Sequence, residues 1–164
     1  MAGSSLSALD FYMHEIVRYR LLKMFSGEVQ KTESYKTFIV SLQTLEEALK
    51  NPETIDWLSE EIIFRHSYKT FMASKAIKEV LSLISKEKIF AQTCQALQMR
   101  HETVAKYVDD IYRRRNEIAH QSDRPHNEEE QHRICKEEVE QYISFIEKFV
   151  CHIHHLLMDE ESKE

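Results

Sequence analysis

The chain has 164 residues, of which 22 are Lys or Arg and 28 are Asp or Glu, so its formal net charge is −6 with histidine neutral. Gly and Pro contribute two residues each, far below the roughly 12% of an average protein, which argues against the tight turns of a β-sandwich or a doubly wound sheet. The 42% of apolar residues excludes a disordered chain, because it supplies enough burial to offset the ordering entropy. We therefore predict one all-α domain over residues 1–164, a compact bundle of five to seven helices.

The chain shows no sign of membrane insertion or export. Runs of strictly apolar residues never exceed three, whereas a membrane span needs about eighteen. The first residues lack the basic segment and the continuous apolar segment of a secretory signal. The cysteines Cys94, Cys135 and Cys151 form no CxxC pair, which favours reduced thiols over a disulfide framework. We expect a soluble cytoplasmic protein that is not integral to a membrane.

The first half of the chain predicts four helices. Apolar residues at helical spacing mark a first helix over residues 6–25, which Gly27 ends. The steps of three and four over residues 35–49 predict the clearest amphipathic helix of the chain, which stops at Asn51-Pro52 because proline cannot continue a helix. A shorter helix is expected to begin near Thr54 as its N-cap, and another helix to cover residues 76–84.

The next segment has the most regular pattern, which predicts one long helix or two helices in register. Its members alternate steps of four and three and are Phe90, Cys94, Leu97, His101, Val104, Val108, Ile111, Arg115 and Ile118. Pro125 and a polar run over residues 126–132 separate this segment from a last helix, whose apolar residues extend from 134 to 157. Residues 159–164 are expected to form a frayed acidic tail.

Two members of this stripe, His101 and Arg115, are not apolar. A histidine can be satisfied at the edge of a core, whereas a buried guanidinium needs an anion. Arg115 lies in the segment 112–124, whose four arginines and two carboxylates give it a charge of +2 in a protein of net charge −6. Arginine suits phosphate oxygens and histidine exchanges protons near neutral pH, so the segment points to work on a phosphodiester. Residue types alone also allow a solvated charged helix end, with His120 near its C-terminus.

The string from Arg115 to His120 carries a recognisable motif. An arginine, an asparagine directly after it as Asn116, and a histidine after four intervening positions resemble the motif of the HEPN ribonuclease superfamily. The wider segment over residues 104–157 resembles the RiboL-PSP branch, in which an arginine-asparagine pair, an Ile-Ala-His triplet, a short polar loop and a long closing helix follow one another. The resemblance implies an HEPN-like bundle with a four-helix core, which forms a homodimer, cleaves RNA as an endoribonuclease and needs neither a metal nor another cofactor.

The resemblance also implies roles for the motif residues. His120 would take the proton of a ribose 2′-hydroxyl, which then attacks the adjacent phosphorus. Arg115 would stabilise the charge on the phosphorane oxygens, and Asn116 would orient the phosphate or the imidazole. Related proteins often act as toxins or anti-phage effectors that an antitoxin or a sensor protein restrains, so we expect that role and those partners. The alternative is a catalytically inactive HEPN-like module that binds RNA or protein.

The other arginines of the segment, Arg113, Arg114 and Arg124, are expected to contact the RNA backbone, with a solvated charged face as the alternative. Helical geometry limits which side chains of the motif can reach the same phosphate. On an ideal helix Asn116 and His120 share a face, whereas Arg115 and His120 are about 140° apart. A two-fold interface between protomers, or a bend after Ile118, would bring these groups onto one phosphate.

Two patterns leave metal chemistry open. Glu117 and His120 form an ExxH pair, as in di-iron bundles, and the only counterpart is the ExxH of residues 129–132 in the polar run. The last helix also carries metal-ligand types at helical spacing, namely Cys151, His152 and His155. A mixed helix face is the alternative for this second group. A histidine phosphotransfer bundle is disfavoured because the chain lacks the glycine and lysine neighbours of its phosphorylated histidine.

Overall fold

The computed structural model describes the backbone of residues 2–122 and 135–163, and the side chains of residues 7–119 and 135–163. Within these residues the chain forms eight α-helices and no strand. The helices are α1 (Ala2–Ser26), α2 (Glu33–Lys36), α3 (Leu42–Lys50), α4 (Asp56–His66), α5 (Ser74–Ile84), α6 (Ile89–Ala96), α7 (His101–Ser122) and α8 (Lys136–Glu161). The all-α prediction is confirmed. The described residues alone form eight helices rather than five to seven, because the second predicted helix is split in two.

α1 is the central helix of the bundle and contacts α4, α5, α7 and α8. It buries apolar side chains at helical spacing, as expected for an amphipathic helix that faces a core. These residues are Leu9, Met13, Ile16, Val17, Leu21 and Met24. α8 contributes a second buried row, Phe145, Ile146, Phe149, Ile153 and Leu157. Full burial of each such side chain contributes about 1.5–3 kcal/mol, so α1 and α8 anchor the core.

The regular stripe after residue 90 is two helices, α6 and α7, because the chain turns at Gln98. This residue has a φ of 55°, in the left-handed region, and the N–H of Met99 donates to the carbonyl of Cys94 at 3.0 Å. The pattern is that of a helix end closed by one left-handed residue, a place where glycine is usual. Gly27, with a φ of 85°, occupies the same place after α1, which confirms it as the end of the first helix.

The predicted single helix over residues 35–49 is wrong. α2 ends at Lys36 and α3 begins at Leu42, after the N-cap Ser41, whose Oγ accepts the N–H of Thr44 at 3.1 Å. The intervening run Thr37-Phe38-Ile39-Val40 is rich in β-branched and aromatic residues, which have low helix propensity. A good N-cap after a poor helical run starts a new helix at that point.

The polar side of α3 packs against α4. Glu61, buried on α4, accepts the N–H of Ser41 at 3.1 Å and the hydroxyl of Thr44 at 2.7 Å. The leucines that dominate the amphipathic pattern lie on the outer side, where Leu42 is 80% exposed and Leu49 is 74% exposed. An amphipathic helix ordinarily buries its apolar side, so α3 reverses the usual arrangement.

The remaining predicted helices are present, but one of the predicted helix starts differs from the observed one. α5 (Ser74–Ile84) covers the helix expected over residues 76–84. The predicted N-cap Thr54 is wrong, because α4 begins at Asp56 after Ile55, and no side chain caps it. α8 begins at Lys136, and the polar run over residues 126–132 lies outside the described residues. In the part of the chain that the structure covers, no helix has both the length and the apolar character that crossing a bilayer requires.

Arg20 is completely buried, and sequence reasoning missed its role. Its Nη2 lies 2.6 Å from Oε2 of Glu160, its Nη1 lies 3.2 Å from Oε1 of Glu161, and its Nε donates to the carbonyl of Ile84 at 3.2 Å. Glu160 also accepts the hydroxyl of Ser85 at 2.9 Å. The prediction of a frayed tail is therefore wrong for residues 159–161, which are helical and neutralise a buried cation.

Candidate functional site

α7 carries the candidate motif and is held in place by packing and by hydrogen bonds. Val104, Val108 and Ile111 are buried along one side of the helix. Asp109 accepts both the backbone N–H and the hydroxyl of Ser74, each at 2.8 Å, and so ties α7 to the start of α5. The first N–H groups of a helix lack intrahelical partners and carry partial positive charge, so a carboxylate is favoured there. The motif therefore lies on a well-anchored helix.

The two polar members of the stripe differ in environment. His101 is exposed at the start of α7, with its ring centroid 4.9 Å from that of Phe90. Arg115 is half-buried, and its Nη1 donates to Oδ1 of Asn116 at 3.1 Å. No described carboxylate forms an ion pair with Arg115. Since a guanidinium has five N–H donors, the contact with Asn116 leaves donors for an anion.

Arg113 and Arg114 are engaged in ion pairs along α7. Nη2 of Arg113 lies 2.7 Å from Oδ1 of Asp110, and Nη1 of Arg114 lies 3.5 Å from Oε2 of Glu117. Arg113 is exposed and Arg114 is half-buried. Exposed ion pairs contribute only about 0–1 kcal/mol, so an RNA phosphate could replace either carboxylate at little cost. This arrangement is compatible with both interpretations of these arginines, RNA contact and a solvated charged face.

The described residues include only part of the predicted site. The backbone of His120 lies in α7, which continues without interruption through Ile118 to Ser122. The side chain of His120 and the whole of Arg124 lie outside the described residues. The observed contact within the motif is therefore that of Arg115 with Asn116.

A cavity of about 360 Å³ lies beside Arg115, between α1 and α4. Its walls include His14 and Arg18 from α1 and His66 from α4, and the ring centroids of the two histidines are 6.4 Å apart. The sequence shows no partner for either histidine, because their proximity depends on how α1 and α4 pack. The sequence did mark the polar face of α1 that lines this cavity, since polar residues at positions 7, 10, 14 and 18 follow steps of three and four.

His66 is the most enclosed polar group of this cavity, with only 4% of its surface exposed. Burial lowers the pKa of His66 to about 4, and electrostatic interactions with Lys69 and His14 contribute to the shift. The imidazole is therefore neutral near pH 7 and offers one N–H donor and one acceptor nitrogen. Its Nδ1 is buried and has no hydrogen-bond partner among the described residues.

Comparison with known proteins identifies the family. The RiboL-PSP-HEPN family model matches residues 4–159, a stretch that includes the whole motif. The chain belongs to the RiboL-PSP-HEPN family. No curated protein and no solved structure matches it. The resemblance of Arg115, Asn116 and His120 to the HEPN motif thus agrees with a match over nearly the whole chain. Because HEPN domains are generally ribonucleases, membership indicates a ribonuclease or RNA-binding function.

The described part of this RiboL-PSP-HEPN protein contains no group of three or more His, Cys, Asp or Glu residues that could hold a metal ion. Glu117 of the ExxH pair is engaged with Arg114, and the counterpart at residues 129–132 lies outside the described residues. Cys151 and His155 are both exposed on α8. Cys94, Cys135 and Cys151 form no disulfide bond in the structure, and only Cys94 is buried.

Proposed function

We propose that the protein is a metal-independent endoribonuclease that works as a homodimer. The observation that carries this proposal is the half-buried Arg115, which contacts Asn116 and keeps donors for a phosphate on the helix that also bears His120. Membership of the RiboL-PSP-HEPN family supports it, because HEPN domains are generally ribonucleases. A two-fold interface would bring together the groups that diverge around α7 in a single protomer.

In the proposed reaction, His120 takes the proton of a ribose 2′-hydroxyl, and the 2′-oxygen forms a bond to the adjacent phosphorus. The bond between phosphorus and the 5′-oxygen breaks, and His120 of the second protomer gives a proton to the leaving oxygen. The products are a 2′,3′-cyclic phosphate and a 5′-hydroxyl. Arg115 stabilises the charge on the non-bridging oxygens, and Asn116 orients the phosphate or the imidazole.

The wider role follows the same proposal. Arg113, Arg114 and Arg124 hold the RNA backbone, and Arg113 and Arg114 exchange their carboxylate partners on α7 for phosphate. The protein acts as a cytoplasmic toxin or anti-phage effector, restrained by an antitoxin or a sensor protein. Because the attacking group is the ribose 2′-hydroxyl, which DNA lacks, DNA is not a substrate.

The test is cleavage of a mixed RNA pool in EDTA by the wild type and by His120→Ala and Arg115→Ala, with identification of the product ends. We expect His120→Ala to lower the rate about 10²–10⁴-fold and Arg115→Ala to lower it about 10²–10³-fold. His101→Ala and Arg100→Ala are matched controls, since His101 begins α7, Arg100 directly precedes it and both are exposed, and both variants should cleave at the wild-type rate. A strand with a 2′-deoxy sugar at the cleaved position should stay intact.

The proposal is supported if the wild type and the two controls yield cyclic phosphate ends and the two motif variants do not. If a folded, dimeric wild type binds RNA and leaves it intact, the protein is instead a catalytically inactive RNA-binding module. Equal cleavage by all five proteins would contradict the roles of Arg115 and His120 and point to a different site or a contaminant.

A further inference from the structure

The cavity beside Arg115 has the size and the position of a ligand site. Its volume of about 360 Å³ falls within the roughly 300–1,000 Å³ of pockets that hold small molecules. Three helices that are distant in sequence form its walls, with Phe11 and Arg18 on α1, Ile63 and His66 on α4, and Arg115 on α7. The proposed phosphate-binding arginine thus lines this space.

Two buried polar atoms at the cavity have no hydrogen-bond partner among the described residues. They are Nδ1 of His66 and Nε of Arg18. A buried polar group without a partner costs about 1–3 kcal/mol, so such atoms usually meet an ordered water or a ligand. His66 can accept or donate through its neutral ring, whereas Nε of Arg18 only donates. A ligand with both donor and acceptor groups on one edge would satisfy the two atoms together.

The remaining walls suit a flat, aromatic ligand with an anionic group. Phe11 lines the cavity and is 68% exposed, and the ring of His14 packs on Phe71 with centroids 4.6 Å apart. The acidic residues of the wall already have partners: Asp10 accepts the N–H of Phe71 at 2.6 Å, and Glu15 pairs with Arg18. Their negative charge is thus partly compensated, while Arg115 keeps donors for an anion.

We propose that this cavity binds one nucleotide, with the face of the base on Phe11, its edge toward His66 and Arg18, and the phosphate on Arg115. Every nucleobase has an aromatic face that stacks on such rings and an edge with donors and acceptors for His66 and Arg18. The inference rests on the proposed function, because it uses Arg115 as the group that holds the phosphate. The nucleotide is either a unit of an RNA strand or a free mononucleotide, since both present the same chemistry.

The test uses the full chain with His120→Ala, so that no RNA is cleaved during the measurement. AMP, GMP, CMP and UMP in one arm, and a short RNA in the other, are titrated while the imidazole NMR signals of His66 are followed. Binding of the RNA is also measured by fluorescence anisotropy in Phe11→Ala and His66→Phe, each made in the same background. Phe64→Ala is the matched control, because Phe64 is 64% exposed on α4 and does not line the cavity.

We expect the His66 signals to shift on titration and both cavity variants to weaken binding about tenfold or more, with no change for Phe64→Ala. A shift with RNA, with mononucleotides or with both supports the inference and tells the two sources apart. Phe11→Ala keeps the test decisive if His66→Phe is poorly folded. Unchanged His66 signals in both arms, or RNA binding that Phe11→Ala leaves intact, would overturn the inference. If nucleotides bind and the wild type never cleaves RNA, the proposed function fails while the inference stands.

Discussion

Arg115 and Arg20 show two ways in which a helical bundle accommodates an arginine. Arg20 is completely buried, and its partners include the carboxylates of Glu160 and Glu161, so its charge is neutralised within the chain. Arg115 is half-buried and contacts the amide oxygen of Asn116. The first arrangement stabilises the fold, whereas the second leaves a cation that can receive a phosphate.

The buried imidazole of His66 makes stability depend on pH. Burial lowers the pKa of His66 to about 4 in the folded protein, whereas an unfolded chain has a histidine pKa near 6.5. Between these values the unfolded state binds more protons, so stability falls as the pH drops from about 6.5 to about 4 and levels off below that. We expect the free energy of unfolding to lose roughly 2–3 kcal/mol from this group over that range, measured by urea denaturation.

His66→Phe should remove most of this dependence. His154→Gln is the matched control, since His154 is exposed on α8, and it should retain the wild-type slope. Equal slopes in His66→Phe and the wild type would show that other groups cause the acid sensitivity.

At the scale of helices, α3 shows that an amphipathic pattern does not decide which side of a helix packs. The buried carboxylate of Glu61 takes hydrogen bonds from Ser41 and Thr44, and it draws the polar side of α3 inward. Burial raises the pKa of Glu61, but these hydrogen bonds and Arg65 outweigh that effect and lower its pKa. A buried charge that loses its partners costs more than the exposure of a few leucines, so the polar contacts prevail.

The left-handed residue between α6 and α7 makes a second prediction at this scale. Gln98 has a φ of 55°, a conformation that costs about 1–2 kcal/mol for a residue with a Cβ but is free of strain for glycine. We expect Gln98→Gly to raise the free energy of unfolding by about 0.5–1 kcal/mol, because the relief of strain exceeds the entropy that glycine adds to the unfolded chain.

Gln95→Gly is the matched control, because Gln95 is exposed within α6 and has helical backbone. That change should lower stability by about 0.5–1 kcal/mol. Urea denaturation should therefore show changes of opposite sign in the free energy of unfolding of the two variants. A loss of stability in both would mean that the end of α6 is not strained.

At the scale of the whole molecule, the proposed active site requires two protomers. Light scattering of the wild type should give twice the chain mass of 19.5 kDa. The rate of RNA cleavage per chain should fall on dilution below the dimer dissociation constant, because the two halves of the site then separate. A strictly monomeric protein that cleaves RNA at the same rate per chain at all concentrations would contradict the composite site.

The local chemistry of the chain was sufficient to predict much of the fold and the motif. Helicity, the end of α1 at Gly27 and the Arg115–His120 motif all depend on residues within a few positions of one another, so spacing and residue type determine them. The family match over residues 4–159 agrees with that motif. The role of His120 stays a prediction, because its side chain lies outside the described residues.

Only the tertiary structure decided the arrangements that join distant residues. Arg20 meets the end of α8 across about 140 positions, Glu61 reverses the packing of α3, and His66 comes to face α1 beside Arg115. His66 meets the ring of His14 on α1, whereas Arg20 and Glu61 are buried charged groups whose hydrogen-bond partners lie on another helix. Such a group must find those partners because leaving it desolvated and unpaired is costly, and no periodic pattern along the chain records which partner it finds.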